Sequence, residues 1–112
     1  MKTIDRETLA ARLAGSDQPT LVEALPEKYF RDWHLPNAVN INHDQVKQRA
    51  AELLPDKHAE VVVYCASATC QNSDLAARQL TALGYTDVAV YKGGKAEWEA
   101  AGLPVAETLD AD

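Results

Sequence analysis

No stretch of this sequence is apolar over the ~20 residues that a membrane span needs, and none of it repeats or falls to low complexity. The segment from Met1 to Leu13 has no unbroken apolar run, because Lys2, Asp5, Arg6, Glu7 and Arg12 interrupt it. A secretory leader and a membrane partner are therefore not expected, and the default location is cytoplasmic. Bases are also scarce: 11 Lys and Arg stand against 17 Asp and Glu, a formal net charge of −6. Non-specific nucleic-acid binding needs a field that draws phosphates in, so that class of function is excluded. His34, His43 and His58 lie far apart, with no zinc-like spacing to one another or to a cysteine, so neither a metal nor a cofactor is expected. Cysteines number two, Cys65 and Cys70. Where thiols normally stay reduced, such a pair signals chemistry more than a staple.

What is present is the composition of an average globular protein, 46% hydrophobic and 25% charged over 112 residues. That length closes a core without disulfides or metal, so residues 1–112 are expected to form a single domain with 107–112 as a frayed tail. The apolar period alternates between strand-like and helix-like segments. Helices are expected over Asp5–Ala14, Glu27–Asp32 (a brief turn), Asp44–Leu54, Ser73–Leu83 and Lys95–Ala101. Strands are expected over Leu21–Ala24, Ala38–Ile41, Val61–Tyr64 and Val88–Tyr91. Val61-Val62-Val63 gives the strongest strand signal, since β-branched residues crowd a helix but fit a pleat. Its lack of polar alternation predicts a strand covered on both faces. The order favours an α/β fold, a central parallel sheet with helices on both faces. Ligands of such sheets bind beyond the carboxyl ends of the strands, and Cys65 sits there.

A cysteine between a buried strand and a helix N-terminus can become an anion. Unpaired N–H groups of the loop and first helical turn point at such a sulfur, as does the positive end of the helix dipole. A free thiol titrates near ~8.5, and this setting lowers it by about a unit or more without a histidine base. The alternative is an inert buried cysteine. The small and polar loop Ala66, Ser67, Ala68, Thr69, Cys70, Gln71 and Asn72, with Ser73 as a helix cap, argues against that, because core packing does not need it.

Several segments resemble single-domain rhodaneses. Tyr29-Phe30-Arg31-Asp32-Trp33-His34-Leu35-Pro36-Asn37-Ala38 is similar to the family's aromatic-x-x-Gly-His-Ile-Pro-Gly-Ala segment. Val61–Cys65 resembles its strand leading into the catalytic cysteine. Leu83-Gly84-Tyr85, Val88–Tyr91, Gly93-Gly94-x-x-x-Trp98 and Ala101–Val105 resemble its C-terminal pattern. The resemblance implies a sulfurtransferase whose Cys65 carries sulfane sulfur as a persulfide, taking it from a small donor and passing it to cyanide, a thiol or a protein acceptor.

The departures from that pattern cluster at the loop. A typical rhodanese loop runs Cys-x-Ser-Gly-x-Arg-Ser. Here Ser67 is kept, Ala68 replaces the glycine, Cys70 stands in place of the arginine, and two more residues precede Ser73. Glu23 keeps the acid of the family's acidic-x-Arg at the first strand end, but Leu25 replaces its arginine. Each lost charge-assisted hydrogen bond is worth about 1.5–3 kcal/mol, so thiosulfate use is expected to weaken by about one to two orders of magnitude. Lys92 and Lys95 either offset the missing cations or are ordinary solvated lysines. Phosphatase chemistry of the related cell-cycle enzymes needs a loop arginine, and none lies between Cys65 and Ser73. Cys70 is near enough to form a disulfide with Cys65, and it either takes part in the chemistry or merely fills space. Two other readings stay open: a redox switch through a Cys65–Cys70 disulfide, and a rhodanese-like binding module with little turnover. His34, before a proline, is expected to hold structure, and Trp33 and Trp98 to pack.

Overall fold

The computed structural model describes residues 2–107. The frayed tail expected over 107–112 lies, from residue 108 onward, outside the described residues. Five parallel strands, β1 (Lys2–Thr3), β2 (Thr20–Glu23), β3 (Val39–Asn40), β4 (Val61–Tyr64) and β5 (Val88–Tyr91), lie in the order β1-β5-β4-β2-β3. The helices are α1 (Arg6–Ala14), α2 (Glu27–Asp32), α3 (Val46–Leu53), α4 (Asn72–Ala82) and α5 (Gly94–Ala100).

β4 is the central strand, paired with β2 through Glu23 opposite Tyr64 and with β5 through Tyr91 opposite Tyr64. All four of its residues are buried, as the unbroken apolar run predicts. Successive side chains of a strand point to opposite faces, and the core divides accordingly. Val61 and Val63 pack with Val46, Ala50, Ala76 and Leu80 of α3 and α4. Val62 and Tyr64 pack on the other face with Leu9 of α1, Leu35 and Trp98 of α5. The α/β architecture with a parallel sheet between two helical layers is therefore as expected.

The expected element limits shift at several ends. β1 has no counterpart in the apolar pattern, because Lys2 and Thr3 are exposed; it is held by pairing with Ala89 and Val90 and by the Lys2–Asp87 ion pair. Asp5 stands outside α1 as its cap, its carboxylate accepting the Thr8 amide at 2.8 Å. α3 starts at Val46 rather than Asp44, since a turn from Asn42 to Gln45 precedes it. Asn37 takes the left-handed conformation at φ 64° before β3, which an asparagine tolerates.

Candidate functional site

The carboxyl ends of β2, β4 and β5 converge on the segment after Tyr64. Cys65 is 1% exposed there, and its backbone is clamped from α5. The Lys95 amide donates to the Cys65 carbonyl and the Ala96 amide to the Ala66 carbonyl, both at 2.9 Å. Gly94 makes this approach feasible: a Cβ at that position would stand 2.5 Å from the Cys65 carbonyl oxygen. Beyond the clamp the loop turns sharply, with the Cys70 amide donating to the Ser67 carbonyl at 3.1 Å. The Ser67 and Thr69 hydroxyls share a further bond of 3.1 Å across the same turn.

That turn folds Cys70 back onto Cys65, and the two are joined as a disulfide with their Cα atoms 6.4 Å apart. Cys65 is sealed, Cys70 is half-buried, and Ala66, Ala68, Thr69 and Gln71 around them are exposed. The hydroxyl of Ser73 lies 3.4 Å from Cys65 Sγ, and because a disulfide sulfur carries no proton the hydroxyl is the group that can donate. Ser73 is not the helix cap that its residue type suggested. α4 begins at Asn72 after Gln71, which makes no side-chain capping bond, and Ser73 lies buried in the first turn. Its hydroxyl is spent on the sulfur instead of on a helix amide. The amides of Asn72, Ser73 and Asp74 occupy the turn where an α-helix leaves its N–H groups without intrahelical acceptors.

Lys95 is not a solvated lysine. It is 7% exposed and pairs with Glu23 Oε2 at 3.1 Å, although the two are far apart in sequence. Its ammonium also donates to the Tyr29 carbonyl at 2.9 Å and lies 4.6 Å from the centre of the Trp33 ring. Glu23 is fully buried and accepts the Tyr64 hydroxyl at 2.8 Å, while that hydroxyl accepts the Leu35 amide at 3.1 Å. Burial pushes the Glu23 carboxyl above its ordinary range, an effect that Lys95 and Tyr64 partly offset. Burial next to Glu23 likewise raises the Tyr64 phenol. With its donors committed to Glu23 and Tyr29, Lys95 ties β2, α2 and α5 together beneath Cys65 rather than offering a free cation.

Lys92 is at the surface and pairs with Asp74 of α4 at 2.8 Å. The two border a 520 Å³ cleft on one side of the loop, together with Ala68, Thr69, Gln71, Leu75 and Arg78. Arg78 is the cation that residue-by-residue reading passed over. It lies outside the motif, and the only signal was its spacing of about one helical turn from Asp74. On the other side of the loop, Leu25, Trp33, Ala66, Lys95 and Glu99 line a 250 Å³ cleft. His34 holds structure: its Nδ1–H donates to the Phe30 carbonyl at 2.8 Å, and its ring stacks on Phe30. Trp98 is buried and donates to the Pro104 carbonyl at 2.8 Å. Among the described residues no cluster of metal-ligating side chains occurs, and no helix is long and apolar enough to cross a membrane.

Residues 5–101 match the family described as Rhodanese-like domain. The chain belongs to that family. It is 30% identical over 102 residues to a sulfurtransferase of Allochromatium vinosum, covering 91% of this chain and 92% of that one. It is 37% identical over 101 residues to the HTH-type transcriptional regulator Rv0324 of Mycobacterium tuberculosis, covering 90% of this chain. This rhodanese-like chain spans only 42% of the length of that regulator. The solution structure of the rhodanese-like domain of the Anabaena protein Alr3790 superposes with a TM-score of 0.85 at 25% identity, covering 99% of this chain and 83% of that one. The rhodanese-like fold and its kinship with sulfurtransferases thus agree with the reading of the motifs.

Proposed function

We propose that this chain is a sulfurtransferase that carries sulfane sulfur as a persulfide on Cys65. The observation that carries the reading is the setting of one sulfur: Cys65 follows the central strand, with the Ser73 hydroxyl 3.4 Å from its Sγ at the start of α4. Once the disulfide is reduced, a thiolate at that position is stabilised by the Ser73 hydroxyl, the first-turn amides and the helix dipole. The thiolate attacks the outer sulfur of a donor, a bond forms between Cys65 Sγ and that sulfur, and the remainder of the donor leaves with the electron pair. A thiol, cyanide or protein acceptor then takes the outer sulfur and regenerates the thiolate.

Reduction should leave the fold standing. A disulfide closing so short a loop contributes only about 2 kcal/mol on a chain-entropy basis, and the two apolar cores lie elsewhere. A cytoplasmic, reducing setting belongs to this reading, because the thiol form is the working one. So does one rhodanese-like domain over residues 1–112, with Ala66 to Ser73 as the donor-binding loop. On the neighbouring cleft, where Lys92 is already paired with Asp74, Arg78 supplies positive charge that the loop lacks.

The test is thiocyanate formation by the reduced protein from cyanide with thiosulfate or a polysulfide as donor. Cys65→Ser is expected to abolish it. Activity that survives Cys65→Ser would overturn the assignment. A second reading, a thiol redox switch, is favoured by the Cys65–Cys70 disulfide itself. It predicts reversible loss of two hydrogens on mild oxidation and no persulfide from any donor.

A further inference from the structure

Sulfur carriage on Cys65 leaves Cys70 without a task. We infer that Cys70 is a resolving thiol, which expels the carried sulfur as sulfide and leaves a disulfide that an external dithiol re-opens; this rests on Cys65 being the carrier. The site then acts as a two-electron sulfane reductase whose co-substrate is a dithiol.

Two observations and one general principle converge on this. The Ser67–Cys70 turn brings the two sulfurs together in a bond, so attack by Cys70 needs no large rearrangement of the loop. An intramolecular thiol of this kind outcompetes a dilute external acceptor through its high effective concentration. Finally, the two sulfurs differ in access and environment: Cys65 is 1% exposed beside Ser73, while Cys70 is half-buried on an exposed loop.

The chemistry balances as follows. The Cys70 thiolate attacks Cys65 Sγ of the persulfide, and the Sγ–Sγ bond forms as the bond to the outer sulfur breaks. That outer sulfur leaves as hydrosulfide with the electron pair. The Cys70 sulfur is oxidised and the departing sulfur reduced. An incoming dithiol reaches the more accessible Cys70 sulfur. Its thiolate bonds there while Cys65 departs as a thiolate, the better leaving group because its negative charge is stabilised. The second thiol of the reductant then attacks the reductant sulfur of the mixed disulfide and frees Cys70 as a thiolate, so the reductant leaves as its own disulfide having given both electrons to the protein.

The experiment uses the full chain, reduced, desalted and kept anaerobic, exposed in turn to thiosulfate and to one equivalent of glutathione persulfide. Sulfide and intact mass are read together. Wild type is expected to release about one equivalent of sulfide per chain and to end two hydrogens lighter than the reduced protein, while Cys70→Ser holds one added sulfur and releases about tenfold less sulfide or below. Cys70→Ala serves as a second variant with the same expectation. If wild type holds the added sulfur as Cys70→Ser does and releases no sulfide, the resolving role is wrong while sulfur carriage stands. If neither Cys70 variant takes sulfur from either donor, the persulfide reading fails and takes this inference with it.

Discussion

Gly94 lies against the backbone of Cys65 so closely that a β-carbon there would stand 2.5 Å from the Cys65 carbonyl oxygen and 2.8 Å from the Ser67 amide nitrogen. Gly94 also holds φ +66°, nearly the same as Gly102 at φ +68°, where nothing lies within 4 Å. The two glycines separate backbone strain from contact with the loop. Gly102→Ala should cost only the left-handed conformation, about 1–2 kcal/mol of stability, with kcat unchanged. Gly94→Ala must also displace the Cys65 loop, and a shift of that order should lower kcat/KM for sulfur transfer by about 100-fold. Urea unfolding and steady-state kinetics on both variants check this, and equal kinetic effects would refute it.

The Glu23–Lys95 pair makes a stability prediction. Lys95→Met strips the cation from a fully buried carboxylate and should cost about 3–5 kcal/mol, whereas Lys95→Met combined with Glu23→Gln should recover much of that loss. Denaturant midpoints read both variants. The pH dependence has a definite sign: since burial raises the Glu23 carboxyl, the folded protein keeps a proton there that the unfolded chain has lost. The Glu23 contribution is therefore complete below the ordinary glutamate range and declines as pH climbs through the raised value. Glu23→Gln should flatten that decline.

Ser73 should act on the thiol rather than on the helix. Ser73→Ala removes the donor 3.4 Å from Cys65 Sγ, which should raise the thiol pKa, because the thiolate loses a hydrogen bond. The pH profile of alkylation at Cys65, measured in a Cys70→Ser background, reports this. A merely structural Ser73 would change the unfolding midpoint and leave that profile where it was.

Arg78 and Lys92 border the cleft beside the loop. If they guide an anionic donor, the double change to glutamine should raise KM for thiosulfate by about 3–10-fold, with little effect on kcat and a smaller salt dependence than wild type. An unchanged KM would move the donor's approach to the opposite cleft, by Trp33 and Lys95.

What the sequence made legible was whatever rests on local pattern. Three adjacent β-branched residues identify β4 to the residue, and a cysteine directly after such a strand announces the site. Gly93-Gly94 signals a close backbone approach but not which backbone is approached. The buried Lys95 was opaque, because lysine is rarely buried unless paired, and its partner Glu23 comes from the distant end of β2. Ser73 misled for a different reason: serine is a favoured cap, but the sulfur competes for its hydroxyl and the helix starts earlier. β1 carries no apolar signal at all, since only its pairing to β5 defines it.

The most direct measurement locates the sulfur. Reduced Cys70→Ser protein is loaded with a sulfane donor, alkylated, digested and sequenced by tandem mass spectrometry, with Cys65→Ser treated in parallel. The prediction is one extra sulfur between Cys65 and the alkyl group, and none in the Cys65→Ser protein. An alkylated Cys65 carrying no extra sulfur after exposure to thiosulfate, polysulfide and glutathione persulfide would contradict the account.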